Sequence, residues 1–243
     1  MKYRIESDFL GELKIPSEAY YGIHTQRAID NFPIAEVAIS VYPNIVIAYA
    51  MVKLACARAN NQLGLLDDDI YHPIVAACER IINGEFHDQF VVEIIQGGAG
   101  TSTNMNANEV IANVALEIIG KEKGDYDTIS PLDHVNMSQS TNDTYPTALL
   151  VGFLKEFVED YPDYAYNVKH IYVDGDYVIF HSHATLKKGD RGNDKNGMNI
   201  IDTWRLEDGR IVEHWDSIQG LDTFMRFYSL ISGGNIQNAN GVF

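Results

Sequence analysis

The sequence predicts an α+β fold, in which a mostly helical amino-terminal region is followed by a curved antiparallel β-sheet. Two observations indicate this fold class. Apolar residues recur with a helical period of about 3.6 up to roughly residue 150, and with a period of 2 after about Asp160. In the second region, Asp174-Gly175 and Asp208-Gly209 each separate two stretches rich in aromatic and β-branched residues, a pattern typical of β-hairpins.

Three amphipathic helices are predicted in the amino-terminal region. The first ends near Gly64, the second at Asn83 and Gly84, and the third at Gly120, because glycine and asparagine favour helix ends. Pro73 predicts that the second helix either begins within a turn of this residue or bends there. The apolar stripes of the three helices are Ile45, Tyr49, Val52, Cys56, Ala59 and Leu63; Ile74, Ala77 and Ile81; and Ala107, Val110, Val114 and Ile118.

A fourth helix is predicted from Thr144 to Asp160, across the point where the apolar period changes. The junction between the two regions is therefore not a flexible linker. Its predicted apolar side consists of Leu150, Phe153, Leu154, Phe157 and Val158. The predicted strands follow at Val168–Val173, Tyr177–Leu186, Ile200–Leu206 and Ile211–Ile218, and the tail from Ser232 to Phe243, rich in glycine and asparagine, is expected to be loosely ordered.

The composition argues against several classes of function. The chain of 243 residues carries 34 acidic against 18 basic residues, a formal net charge of −16, and 46% of its residues are apolar. This acidic balance does not attract nucleic acids or anionic membranes, and no apolar run reaches the roughly 18 residues that span a bilayer. Met1–Asp8 lacks the apolar core of a secretory signal, so we expect a cytoplasmic protein. Cys56 and Cys78 are expected to be reduced, buried thiols.

Two unusually polar segments precede predicted helices. The first, Gln96–Asn106, combines glycines with hydroxyl and amide side chains, and the second, His134–Asp143, contains Ser140, Thr141 and Asn142. Backbone donors at a helix start and short hydroxyl groups can hold a carboxylate or a phosphate. The same residue types are also favoured in helix caps and turns. The residues alone leave a small anionic substrate and simple capping as alternatives, and the absence of Gly-Lys-Ser/Thr argues against nucleotide binding.

The first 149 residues contain further motifs besides the two polar segments. They are Arg4-Ile5-Glu6 with Leu10-Gly11, then Pro16, then Ala19-Tyr20-Tyr21-Gly22-Ile23-His24-Thr25-Gln26-Arg27-Ala28, and then Asn31-Phe32. These motifs resemble the opening of the aspartase and fumarase superfamily, and within it the aspartate ammonia-lyases. The two polar segments look like the first two active-site segments of that superfamily, and the resemblance covers about residues 3 to 149 in colinear order.

This resemblance implies the reversible anti elimination of ammonia from L-aspartate to give fumarate. By motif, Thr101, Ser140 and Thr141 would bind the β-carboxylate of the substrate, and Asn142 would lie near its amino group. Neutral donors that hold a carboxylate more tightly as it becomes a dianionic enediolate would stabilise the transition state preferentially. The resemblance requires no cofactor and no metal.

The chain also departs from the family pattern. Family members carry their catalytic base on a mobile Gly-Ser-Ser loop, followed by a lysine and an asparagine that hold the α-carboxylate, and no such loop is present in this sequence. The long helices that bundle four family subunits into a tetramer are missing too. Because each family active site combines segments from three subunits, we expect this chain alone to have absent or residual activity, although a homo-oligomer is still expected.

Alternating residues in the predicted strands place several titratable side chains together. His181 and His183 share one strand face, and His214 and Asp216 share one face of the last strand. If a curved sheet brings these faces together, they line a pocket suited to general acid/base chemistry. Structural or surface histidines and a three-histidine metal site are the alternatives.

A second set of motifs lies between residues 152 and 243. It consists of Gly152-Phe153-Leu154, Tyr161-Pro162-Asp163, Val173-Asp174-Gly175-Asp176, His181-Ser182-His183, the run from Asp202 to Asp216, and the final Asn240-Gly241-Val242-Phe243. These motifs resemble the later half of SnoaL-like proteins, which belong to the NTF2-like superfamily. This resemblance implies a cone of curved antiparallel sheet, here without the usual first helices and first strand. By motif, Asp216 is the best general acid/base candidate, with His181, His183, Asp202 and His214 as companions.

The sequence therefore predicts two parts, an aspartase-like domain at residues 1–149 and a SnoaL-like, NTF2-like sheet at residues 150–243. Three functions stay open. The first is a lyase-family chain that binds a small dicarboxylate. The second is a pocket for an apolar small molecule, with Asp216, His183 and His214 as its catalytic candidates. The third is a non-catalytic fusion or a self-associating protein.

Overall fold

A computed structural model describes residues 2–95, 98 and 100–220. The residues group into two compact units, of which one ends at Glu156 and the other begins at Phe157. The predicted α+β class is confirmed, since helices dominate the first unit and a four-stranded antiparallel sheet the second. Within the described residues, no helix combines the length and apolar character that crossing a membrane requires. The tail from Ser232 to Phe243 lies outside the described residues.

The first unit begins with a hairpin of β1 (Tyr3–Asp8) and β2 (Gly11–Pro16), which the apolar pattern did not predict. Five α-helices follow it: α1 (Ile23–Asn31), α2 (Pro43–Gln62), α3 (Asp68–Ile82), α4 (Thr101–Ile118) and α5 (Thr141–Asp160). Short 3-10 turns lie at Ile39–Val41 and His87–Gln89, and a π-helical turn spans Pro131–Val135. The predicted helix ends near residues 64, 84 and 120 are confirmed.

The packing differs from the predicted stripes at two helices. In α2 the predicted Ala59 and Leu63 are exposed, because the buried face is rotated toward Val46 and Ala57. This face also includes two buried polar residues, Lys53 and Asn60, which an apolar stripe does not predict. In α5 the buried residues are the small Thr144, Ala148 and Gly152. The predicted apolar side of α5 is exposed instead, at 59% for Leu150, 65% for Phe153, 49% for Leu154 and 60% for Val158.

Helix α4 forms the centre of the first unit. Its residues from Thr103 to Leu116 are buried almost without interruption, so the helix is enclosed on all sides rather than along one stripe. The predicted stripe positions Ala107, Val110 and Val114 are fully buried, whereas Ile118 is 40% exposed at the helix end. Buried polar side chains on the same helix therefore need internal partners.

The sheet of the second unit has the strand order β3 (Ala165–Asp174), β4 (Tyr177–Thr185), β5 (Met198–Glu207) and β6 (Arg210–Gly220). Both predicted hairpins are confirmed. Asp208 and Gly209 have φ of 49° and 75°, as a type I′ turn requires. Gly175 has a φ of 58° at the first position of its two-residue loop, which glycine adopts without strain.

Candidate functional site

The first polar segment is built around a glycine at the start of α4. Gly100 has a φ of 85°, and a Cβ atom at this position would lie 2.1 Å from the ring of Tyr145. Only glycine therefore fits at position 100 without a clash. The next residue, Thr101, is exposed and lines a cavity of about 500 Å³ together with His24, Arg27 and others.

Two of the residues that line this cavity, Arg27 and His24, are each held by a carboxylate. Arg27 makes a bidentate ion pair with Asp8, with Nε–Oδ2 and Nη2–Oδ1 distances of 2.7 Å. This pair raises the pKa of Arg27 and lowers the pKa of Asp8. The backbone of His24 is fixed by Glu109, which accepts from its amide at 2.9 Å. The charge of Arg27 is thus already balanced before any anion enters the cavity.

The Tyr-Gly-Ile-His-Thr motif lies between two carboxylates. Glu109 on α4 accepts from the amides of Gly22 and Thr25 at 2.8 and 3.1 Å, and Glu6 accepts from the amide of Ile23 at 2.8 Å. These amides open α1, whose first-turn donors have no partner within the helix. Burial raises the pKa of Glu109, while the amide donors and the helix dipole favour its charged form. The motif therefore has a structural role that is independent of catalysis, because its amides bind two carboxylates at the start of α1.

The second polar segment forms the start of α5. The carboxylate of Asp143 accepts from the backbone amide of Ser140 at 3.2 Å, which is the return half of a capping box. Thr141 is the first residue of the helix and is partly buried, while Ser140 and Asn142 are exposed. None of these three residues lines the cavity beside Thr101, as far as the structure describes it.

The starts of α4 and α5 are joined through Asn104, which lies one turn after Thr101. Its Nδ2 donates to Thr141 Oγ1 at 3.5 Å, and its Oδ1 accepts from the Thr144 hydroxyl at 2.9 Å. The same Oδ1 accepts from Lys53 Nζ at 2.7 Å. The structure thus brings the two polar segments together through a direct bond between Asn104 and Thr141, and two residues outside both segments, Lys53 and Thr144, add to the connection.

Lys53 is the charged centre of this connection. It is 1% exposed, and Nζ also donates to Asn136 Oδ1 at 3.0 Å and to Gln139 Oε1 at 2.9 Å. Burial lowers the pKa of Lys53 to about 7, while three amide oxygens favour the ammonium form. The signal that could have identified Lys53 is a polar residue inside an otherwise apolar helix, because such a residue needs a buried partner.

The sheet carries the second candidate site on one of its two faces. A cavity of about 740 Å³ is lined by apolar side chains and by Tyr166, Asp202 and Asp216. The hydroxyl of Tyr166 donates to Asp202 Oδ2 at 2.6 Å, and His214 Nε2 lies 3.2 Å from Asp202 Oδ1. Burial and the bond to Asp202 raise the pKa of Tyr166. The ring of His214 stacks on Trp204 with centroids 3.8 Å apart.

The expectation that all the candidate side chains line one pocket does not hold for His181 and His183. Cross-strand partners share a face of the sheet, and Asp202 pairs with Asp216, whereas His181 and His183 pair with Ile201 and Asn199. The two histidines therefore lie on the opposite face. His183 is 6% exposed, with Nε2 2.6 Å from the carbonyl oxygen of Asn196.

This separation also bears on the metal alternative. His214 faces away from the other two histidines, so the three cannot converge on one ion from a single sheet. Among the residues that the structure describes, no group of three His, Cys, Asp or Glu side chains has an arrangement that could hold a metal ion.

Comparison with known proteins shows which family carries the amino-terminal features. The profile of the lyase family matches residues 11–162, well over half of the chain. The chain belongs to this family. It is 60% identical over 151 residues to an aspartate ammonia-lyase of Pseudomonas aeruginosa and 55% identical over 151 residues to one from a Bacillus species. The matches cover 62% of this chain but 32% of either relative, so the chain spans about a third of their length.

Solved structures support the same family, and a second profile overlaps its end. A fumarate lyase from Brucella melitensis matches with a TM-score of 0.65 and 54% identity, covering 66% of this chain and 37% of that one. A class II fumarase from Schistosoma mansoni matches with a TM-score of 0.60 and 35% identity, covering 66% and 33%. The SnoaL-like domain profile matches residues 132–214, so α5 lies within both matches. The chain thus joins part of a lyase to SnoaL-like sequence.

Proposed function

We propose that the amino-terminal unit binds a small dicarboxylate of the aspartate and fumarate class, and that the chain by itself has absent or residual aspartate ammonia-lyase activity. The observation that carries the proposal is the joining of the starts of α4 and α5, with Thr101 and Thr141 each at the first position of its helix. Helix starts and hydroxyl donors favour a carboxylate, and the buried charge of Lys53 adds to this preference.

The expected low activity rests on chemistry rather than on binding. Elimination requires a base that removes the Cβ proton, and the resemblance assigns this role to a serine on a Gly-Ser-Ser loop that the sequence lacks. Donors that hold a carboxylate stabilise an enediolate, but they do not remove a proton. A site with donors and no base is a binding site with little turnover.

The test combines binding and turnover on the whole chain. We expect calorimetry to detect fumarate binding that Thr101→Ala and Thr141→Ala each weaken by about tenfold, the effect of losing a hydrogen bond to a charged group. Thr147→Ala is the matched control, because Thr147 lies on α5 and donates within the helix to the Asp143 carbonyl at 2.6 Å. Ultraviolet detection of fumarate after addition of L-aspartate should show little or none. Turnover that disappears in Thr141→Ala would contradict the proposed lack of activity, and unchanged affinity in both variants would contradict the site.

A second candidate function is supported by the apolar cavity of the sheet. Its walls include Val178, Phe180 and Trp204, while Asp202 and Asp216 supply carboxylates within the same cavity. Such a surface suits an apolar small molecule, and a carboxylate beside it could act as a general acid or base. Phe180→Ala removes part of the apolar wall and should weaken binding of the neutral dye Nile red, whereas Ser217→Ala, on the opposite face, should leave it unchanged. No dye binding to the unmodified chain would argue against this function.

Self-association is the third part of the proposal. The exposed side chains of Leu150, Phe153, Leu154 and Val158 form one apolar face of α5, and faces of this kind are commonly covered by a partner. A second copy of the same chain would present an identical face, as two-fold assemblies require. A homo-oligomer is consistent with this surface.

A further inference from the structure

Lys53 is a buried cation without a carboxylate partner. It lies between Val52 and Leu54 on α2, and its three hydrogen bonds all go to neutral amide oxygens. No carboxylate of a described residue lies within ion-pair distance of its Nζ. An ammonium group buried in this way costs several kcal/mol unless its surroundings compensate. Packing alone therefore does not explain why a lysine occupies this buried position.

The partners of Lys53 supply a reason. Asn104 bonds to Thr141 and Thr144 on α5, while Asn136 Oδ1 also accepts from the side-chain amides of Asn104 and Asn108, at 3.1 and 3.2 Å. Gln139 immediately precedes Ser140. One ammonium group thus bonds to the first turn of α4 and to the turn that leads into α5, the two segments that contain the proposed carboxylate donors.

We propose that Lys53 is a positioning residue for the dicarboxylate site, which fixes the starts of α4 and α5 relative to each other and supplies the positive charge that favours a dianion. This inference rests on the proposed function for its ligand, but the positioning role stands on the hydrogen bonds alone. Lys53 does not contact the cavity beside Thr101, so it acts through Asn104 and Gln139 rather than on the ligand.

The charge of Lys53 makes the site sensitive to pH. With a pKa lowered to about 7 by burial, Lys53 loses its proton as the pH rises from 6 to 8.5, and the attraction for a dianion falls with it. Of the other titratable groups, Cys56 on α2 and Cys78 on α3 lie near the Lys53 ammonium, and Asp143 on α5 lies near Cys56. On the other elements packed around Lys53, the titratable groups bond elsewhere: Glu109 on α4 to amides of residues 22–25, and Asp133 and His134 in the π-helical turn to Ser130. Burial raises the pKa of both thiols, so neither gains a charge in this interval.

The experiment compares the unmodified chain with Lys53→Met and Lys53→Gln, using succinate as a dicarboxylate that cannot undergo elimination. Calorimetry should show that the affinity of the unmodified chain falls about tenfold between pH 6 and 8.5, and that Lys53→Met binds weakly and without this pH dependence. Lys121→Met is the control for net charge, because Lys121 is exposed and pairs with Asp125. His24→Gln, which replaces a side chain that lines the cavity beside Thr101, serves as a second control.

Hydrogen–deuterium exchange measures the positioning role without any ligand. In Lys53→Met, residues 101–104 and 136–142 should lose protection together, while residues 22–25, which bond to Glu109, keep theirs. Lys53→Gln supplies an uncharged amide donor in place of the ammonium group, so it should restore part of the protection but not the pH dependence. If Lys53→Met does not fold, Lys53→Gln is used in its place. Unchanged protection and an unchanged pH profile would overturn the inference. If the unmodified chain binds no succinate at any pH, the proposed function fails, and the exchange data alone decide whether Lys53 positions the two segments.

Discussion

The two units of the chain differ most clearly in how completely their elements are enclosed. Of the 18 residues of α4, 13 are buried, whereas none of the 11 residues of β6 is buried. Among the described residues after Phe157, the buried apolar side chains are Ala184 and Ile200, in contrast to the extended core of the helical unit. The first unit has the enclosure that fixes a polar site, and the second has an apolar surface suited to a ligand or a partner.

The well-enclosed unit is the lyase-like part of the chain, and the exposed sheet is the SnoaL-like part. The lyase-like unit supplies internal hydrogen-bond partners for two buried charged groups, Glu109 and Lys53. Within the part of the chain that the structure describes, β3 and β6 are the edge strands of the sheet, with one neighbour each. An apolar sheet face gains its stability from a second layer, so the described sheet represents one layer of a sandwich, cone or interface.

The strongest test of this comparison is Gly22→Ala. A Cβ atom on Gly22 would lie 2.4 Å from the Tyr126 hydroxyl, 2.7 Å from Glu6 Oε2 and 2.9 Å from Glu109 Cδ. We expect the helical unit to lose about 3 kcal/mol of unfolding free energy or more, since three packed groups must move. Helical circular dichroism reports this unit, and fluorescence reports the sheet, because both tryptophans, Trp204 and Trp215, lie in β5 and β6.

The control for this variant is Gly120→Ala, which also has a positive φ, of 74°, but nothing within 4 Å of the added atom. It should cost about 1 kcal/mol, from backbone strain alone. If Gly22→Ala shifts the tryptophan transition as far as the helical one, the two units unfold together. Separate unfolding free energies could then not be assigned to them.

A smaller effect is expected from Phe153→Ser on the exposed face of α5. Removing a 65% exposed aromatic ring should weaken self-association by about tenfold or more, while the stability of the monomer changes little. Sedimentation velocity over a range of concentrations measures this, with Glu156→Gln, on another side of the same helix, as the matched variant. A chain that sediments as a monomer at every concentration would show that this face is not an interface between copies.

The smallest effect concerns the Asp8–Arg27 pair. Because the pKa of Asp8 is lower in the folded chain than its usual 3.8, the unfolded state takes up the proton first. The stabilisation is therefore complete above pH 3.8 and is lost as the pH falls through the folded pKa. Acid unfolding of Asp8→Asn should lack this contribution, whereas Asp127→Asn, at an exposed position, should follow the unmodified chain. Identical acid transitions for Asp8→Asn and the unmodified chain would show that the pair contributes nothing to stability.

Local sequence rules predicted a large part of the fold. The helix ends and both sheet hairpins follow from glycine, asparagine and Asp-Gly pairs, whose backbone preferences act within a few residues. The hairpin of β1 and β2 was missed because its strands are short and mostly exposed. The buried face of α5 was misassigned because the helix packs through Thr144, Ala148 and Gly152, where small size matters more than hydrophobicity.

The candidate sites were less accessible to sequence reasoning. The sequence placed both polar segments before helices and began the fourth helix at Thr144, whereas the structure has Thr101 and Thr141 as the first residues of α4 and α5. Lys53 bonds to Asn104, and Asn104 bonds to Thr141, over separations of 51 and 37 residues that motifs do not reveal. Strand alternation assigned each histidine to a face of its own strand, yet it could not say which faces coincide. That information depends on the pairing register, and a shift of one residue exchanges the two faces.

The carboxylate of Glu109 has a consequence for the order in which the chain becomes structured on the ribosome. It bonds to amides of residues 22–25 across separations of 84 to 87 residues. At translation rates of about 5–20 residues per second, α1 waits on the order of ten seconds for this acceptor to be synthesised. Until then water satisfies the opening amides of α1, and these amides gain their native acceptor only when α4 emerges.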